Sequence, residues 1–231
     1  MSFEPPALGR PLTGWTPPSR PPRAGLSGRH CRLEPLDPAA HTESLHAAYS
    51  ADSVGRMWAY LPYGPFENPE AYRGWISRVA PGEDPLFLAI VDPCSGRAVG
   101  VAAWLRIDPP NGVIEIGHLA FSPALQRTTA ATEAIYLLIE RAFALGYRRV
   151  EWKCDALNLP SRVAAERLGF VYEGIFRQAA VVKGRNRDTA WYAIIDADWP
   201  ALRAGFERWL APENFDADGR QKRSLRELQN A

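Results

Sequence analysis

Apolar positions recur along this chain at two spacings, and the spacings predict its elements. Ala131, Ala134, Ile135, Leu138, Ala142 and Leu145 follow the i, i+3, i+4, i+7 rule of an amphipathic helix. A strand-forming run from Val113 to Phe121 precedes it and stops at Ser122-Pro123. Leu86 to Val91 and Ala98 to Ile107 read as central strands on either side of the turn Asp92-Pro93-Cys94-Ser95-Gly96. The cluster Asp108-Pro109-Pro110-Asn111-Gly112 predicts a turn, and with it antiparallel pairing of the strands it joins. Further strands are expected from Arg29 to Leu36, Arg149 to Cys154, Phe170 to Arg177 and Thr189 to Ile195. Asp37-Pro38 signals a helix to about Tyr49, and another runs from about Asn68 to Val79. A short helix is expected from Pro160 to Leu168, and a last one from an Asp198 N-cap to about Leu210. The order βααβββαβαββ plus a C-terminal helix describes an α/β protein with a mixed sheet.

Composition narrows the function classes. At 231 residues, with 46% hydrophobic, the chain holds one domain of ordinary size with appendages. Residues 1–27, rich in proline, read as an extended arm that Trp15 pins to the surface or that stays disordered; 28–210 form the domain, and 211–231 a tail. A net charge of +1 gives no electrostatic reason to expect nucleic acid. Three widely spaced cysteines argue against a disulfide framework or a metal site. No apolar run approaches membrane-spanning length and no signal-type core is visible, so a cytoplasmic protein without a membrane partner is expected.

The loop after the Val113–Phe121 run has the chemistry of an anion site. First-turn amides of a helix lack internal partners, and the helix dipole adds partial positive charge. Here Gln126-Arg127-Thr128-Thr129-Ala130-Ala131 resembles the pyrophosphate-binding motif Gln/Arg-x-x-Gly-x-Gly/Ala of the GNAT superfamily of acyl-CoA N-acyltransferases. Gln126 and Ala131 match its ends, while Thr129 stands where glycine is usual. Ala131-Thr132-Glu133-Ala134, Glu115-Ile116-Gly117-His118 and the hairpin around Val181-Val182-Lys183-Gly184 resemble the RimJ/RimL-like branch. Asn158-Leu159-Pro160-Ser161, followed by Arg167-Leu168-Gly169-Phe170, resembles a further family pattern. The resemblance spans roughly residues 28–210. It implies a mostly antiparallel GNAT-type sheet flanked by helices, no metal, and acetyl-CoA as acyl donor to a primary amine, either a protein N-terminus or a small amine. Homodimerisation is left open.

Acyl transfer from a thioester requires a neutral amine, a donor for the oxyanion and a stabilised leaving thiolate. The family's usual tyrosine acid corresponds here to Ala165, so Ser161 is the substitute, or else an ordinary helix-start residue. Glu115 and His118 are the candidate bases. Their odd spacing points them to opposite faces of a regular strand unless a bulge intervenes. A main-chain N–H near Leu119 or Phe121 would serve the oxyanion. Asn158 would hold the pantetheine arm or simply cap the following helix. Trp58, Tyr60, Tyr63 and Phe66 suggest an aromatic wall over the acceptor, or plain core. Lys183, Arg185 and Arg187 read as a solvated turn, or as receivers of an acidic substrate group or the CoA 3′-phosphate. A silent CoA-binding sensor or interaction module of the same fold is the competing function, favoured by the missing tyrosine and by Thr129.

Overall fold

The computed structural model describes residues 7–230. Eight strands form one sheet: β1 Leu26–Ser27, β2 Arg32–Pro35, β3 Leu86–Val91, β4 Ala98–Asp108, β5 Val113–Phe121, β6 Arg149–Asp155, β7 Val171–Val182 and β8 Arg185–Ile195. Their order is β1-β2-β3-β4-β5-β6-β8-β7, antiparallel throughout except for β5 beside β6. The helices are α1 Pro38–Tyr49, α2 Pro69–Val79, α3 Thr129–Ala144, α4 Leu159–Arg167, α5 Trp199–Leu210 and α6 Leu225–Gln229. No helix among the described residues is long and apolar enough to cross a membrane.

Alternation along the strands divides the interior into two cores. Ile114, Ile116, Trp104 and Trp152 face one side and pack with Leu138 and Ile139 of α3, Phe206 of α5 and Leu225 of α6. Phe87, Ala89, Val101 and Ala103 face the other side and pack with Leu45 of α1 and Tyr72, Trp75 and Ile76 of α2.

The expected elements are present, with differences at their ends. The first expected strand is shorter, because the Glu133 carboxylate binds the amides of Arg29, His30 and Cys31 and bends the chain there. β1 is an added two-residue strand paired with β2. β7 and β8 run well past their expected limits: the basic stretch between them is hairpin, with an irregularity between Phe176 and Ala180. Asp198 precedes α5 as expected, yet its side chain makes no capping bond, because it already sits in the helical region at φ −86° and ψ −25°.

Trp15 and Arg23 of the proline-rich segment, and α6 beyond Ala211, reach the domain. Arg148 lies 5.8 Å from the Trp15 ring centroid, and Arg23 donates to the carbonyls of Ala80 and Gly82. Beyond Ala211, α6 carries a Ser224/Glu227 capping box and buries Leu225 and Leu228 in the first core.

Candidate active site

The parallel pairing of β5 with β6 ends at Ile116 opposite Trp152. The five residues of β5 beyond that point therefore have a partner, β4, on one edge alone. Ser122 N donates to Val99 O at 3.2 Å. By the alternation of an antiparallel ladder, the preceding Phe121 amide points away from β4, toward the gap. The Phe121 carbonyl accepts from Gln126 Nε2 at 2.8 Å, so Gln126 shapes the loop from within.

A bulge decides how Glu115 and His118 relate. Val101 pairs with Ala120 and Ala103 with Gly117, so His118 and Leu119 together oppose Ala102. His118 absorbs the extra residue at φ 52°, an uncommon left-handed conformation for a residue with a side chain. The bulge turns His118 onto the face that Glu115 shares with the second core. There it stacks on Tyr63 at 5.6 Å and lies 4.9 Å from Phe87.

Glu115 sits in a compact charge network. Its Oε2 is 3.0 Å from Lys153 Nζ and 3.6 Å from Arg106 Nε, and Lys153 also pairs with Glu151 at 2.6 Å. Burial raises the Glu115 pKa above the usual carboxylate value, and Lys153 and then Arg106 partly offset it. Its Oε1 points past Gly117, where an added Cβ would lie 3.5 Å away. Burial, with the Arg187 charge second, pushes His118 down to about 4, so its imidazole is neutral at pH 7.

Across the gap, Asn158 caps α4 by accepting from Ser161 N at 3.2 Å. Trp152 Nε1 donates to Ser161 Oγ at 3.0 Å. That bond occupies a lone pair of the hydroxyl, whose proton is left to donate, with the Cys154 thiol as its neighbour.

The loop ahead of α3 accommodates its threonines without a left-handed backbone at either of them. Thr128 is the N-cap, with its Oγ accepting from Ala131 N at 3.1 Å. Arg127 alone in the loop has positive φ, 62°, so neither threonine is forced left-handed. Among the described residues, the amides of Arg127, Thr129 and Ala130 have no acceptor.

The four aromatic candidates separate. Trp58 is 5% exposed and packs with Tyr49, Tyr63 and Phe66, which makes it core. Phe66 packs against the same core, on Tyr72 and Trp75. Tyr63 reaches His118 and buries a phenol oxygen without a partner. Tyr60 spans the gap and donates to Leu157 O at 3.2 Å. Sequence reasoning missed Lys153, Glu151, Trp152 and Trp191. The alternation Glu151-Trp152-Lys153 was the available signal, with two charges sharing one face of a central strand.

The acetyltransferase (GNAT) domain family matches residues 30–171. A GCN5-related N-acetyltransferase from Brucella melitensis is 47% identical, with a TM-score of 0.93 over 95% of this chain and 100% of that one. A probable GNAT-family acetyltransferase from Chromobacterium violaceum is 41% identical, with a TM-score of 0.78 over 86% of this chain and 100% of that one. A ribosomal-protein-serine acetyltransferase of Escherichia coli is 34% identical over 101 residues, 43% of this chain and 56% of the relative.

Proposed function

The chain belongs to the GNAT acetyltransferase family and is an N-acetyltransferase, and from that premise we propose that its donor is acetyl-CoA and its acceptor a small primary amine. The observation that carries this reading is the end of β5–β6 pairing at Ile116 and Trp152. In this reading the Glu115 carboxylate, the Phe121 amide and the Ser161 hydroxyl serve the gap it opens.

The loop fits a pyrophosphate. Three partnerless amides at Arg127, Thr129 and Ala130 meet at a helix N-terminus beside small side chains. Glu115 takes the proton from the acceptor amine, directly or through a water, because burial favours its protonated form more than that of a surface glutamate. The Phe121 amide, with Leu119 beside the bulge, offers the oxyanion its donor. Ser161 gives its proton to the departing thiolate, held in orientation by Trp152.

A protein amine, such as an N-terminus, is the other acceptor, and the Escherichia coli relative is named a ribosomal-protein-serine acetyltransferase. Two ties across the mouth favour the small amine. Tyr60 is bonded to Leu157 O, and Lys183 Nζ donates to Trp58 O at 2.8 Å. Together they draw the aromatic segment over the face where Glu115 and His118 lie. Measuring free thiol from acetyl-CoA with a panel of amines tests the reading. Turnover with none of them, in a protein that binds acetyl-CoA, would support the silent module instead.

Two variants probe the parts. Ala130→Glu sets charge and bulk beside the free amides and should weaken acetyl-CoA at least about tenfold, or ~1.4 kcal/mol. Unchanged calorimetric affinity in a natively folded variant would remove the loop from the donor site. Ser161→Ala should lower kcat about 10–10²-fold, the lower end for acid catalysis, with little change in KM for acetyl-CoA. Wild-type kcat with a slightly lower Tm would leave Ser161 as a helix-start residue.

A further inference from the structure

The three basic residues of the β7–β8 hairpin have different surroundings. Lys183 donates to the Trp58 carbonyl, and Arg185 is exposed at the start of β8. Arg187 turns inward. Its Nε is fully buried without a partner, and no hydrogen bond or ion pair to its guanidinium exists among the described residues.

The strand places Arg187 on the reactive face. Arg187, Thr189 and Trp191 alternate onto one side of β8. Trp191 pairs with Lys153 of β6, whose Nζ lies 3.7 Å from the indole centroid and 3.0 Å from Glu115. From the other side, Arg187 is close enough to His118 for its charge to oppose protonation of the imidazole.

Charge bookkeeping singles out the same residue. Lys153, Arg106 and Arg149 are paired among Glu115, Glu151 and Glu173, three cations with three carboxylates. Arg187 is left over. On the same face, Trp191 Nε1, His118 Nδ1 and Tyr63 Oη are also buried without partners, and Glu115 Oε2 has only its ion pairs to Lys153 and Arg106. Buried polar groups are ordinarily satisfied, so an unpaired guanidinium on the same face as an unpaired indole N–H, two groups that can only donate, describes a site for an anion.

Resting on the transferase reading above, we propose that Arg187 binds a carboxylate of the acceptor, so that the acceptor is an amino-acid-type molecule with its carboxylate a few bonds from the reacting nitrogen. The planar guanidinium fork matches a carboxylate. An unpaired cation here disfavours polyamines. The CoA phosphates are poor occupants, since the loop amides open α3, which packs against the opposite face of the sheet.

The test pairs α-amino acids with their α-carboxamides as acceptors in the thiol-release assay. Wild type should prefer the carboxylate at least tenfold in kcat/KM. Arg187→Gln should lose that preference through KM of the carboxylate partner, and Arg187→Lys should recover part of it. Amides used equally well by wild type, or an equal loss on both partners in Arg187→Gln, would overturn the assignment. If no amine releases thiol, the transferase reading fails separately. Calorimetry with N-acetyl amino acids and their amides then decides the subsite: tenfold weaker carboxylate binding in Arg187→Gln sustains it, and binding indifferent to the substitution, or no binding to wild type, sinks it.

Discussion

Glu115→Gln is expected to lower kcat by about 10²-fold while leaving acetyl-CoA affinity unchanged, the loss typical of removing a general base. The substitution keeps the shape of the side chain and removes its basicity. Lys153 retains Glu151 at 2.6 Å and the Trp191 ring at 3.7 Å, so the network keeps a partner for its buried ammonium. A small change in Tm is therefore expected. A clear fall in Tm with wild-type kcat would instead assign Glu115 to the charge network alone. The pH profile gives a second reading. A base with a raised pKa must be deprotonated to act, so wild-type kcat/KM should fall as pH drops through a value above the ordinary carboxylate range. The limb should vanish in Glu115→Gln. No limb belonging to His118 is expected near its ordinary 6.5, because that imidazole protonates only toward about 4. A limb near 6.5 that disappears in His118→Ala would transfer the base role to His118.

Much of the candidate site was legible because its parts are local. The apolar stripe of α3, its capping region and the strand before it lie within about thirty consecutive residues, and one periodicity argument covers them. Glu115, Asn158 and Ser161 were nameable for the same reason. What stayed hidden depends on pairing across distance. Whether His118 joins Glu115 on one face turns on a single extra residue opposite Ala102, and strand alternation alone gives the wrong answer. Trp58 looked like a cleft wall because proline and glycine surround it. Tyr49, Tyr63 and Phe66 close on it from three directions and make it core. The hairpin from Arg177 to Asp188 reads as loop because polar residues dominate it, yet its backbone pairs through the bulge at Gln178, φ 51°. That extension carries Arg187 into the site. The competition between a solvated turn and an anion receiver could be separated only once its buried, partnerless Nε was seen.

Glu133→Leu is expected to produce the largest loss of stability, for a reason no sequence spacing exposes. The side chain is 5% exposed, in the second turn of α3. Its carboxylate accepts from Arg29 N at 2.9 Å, His30 N at 2.6 Å and Cys31 N at 2.9 Å, more than a hundred residues away. Gly28 makes the approach feasible, since a Cβ there would lie 2.4 Å from Glu133 Cδ. Leucine fills similar space and supplies no acceptor, leaving three amides to find water or remain unpaired. Each such bond to a charged acceptor is worth about 1.5–3 kcal/mol, and the segment can swing outward to recover part of the loss. A net cost of about 3–5 kcal/mol follows, and a fall in Tm of roughly 2–4 °C for each kcal/mol. Cys31 offers a local readout. It is fully buried, and burial first, then the Glu133 charge, drives its thiol pKa far up. Opening the clamp should expose it, so thiol reagents should modify Cys31 in Glu133→Leu and not in wild type, with exposed Cys94 reacting in both. Glu133→Gln, which keeps one oxygen acceptor, should fall between the two. A loss below about 1 kcal/mol with Cys31 still protected would mean that the β1–β2 connection holds its shape without the carboxylate. The clamp also bears on function, because the helix it fastens to β2 is the one whose first turn presents the free amides of Thr129 and Ala130. Below its own Tm, the leucine variant should therefore bind acetyl-CoA more weakly as well.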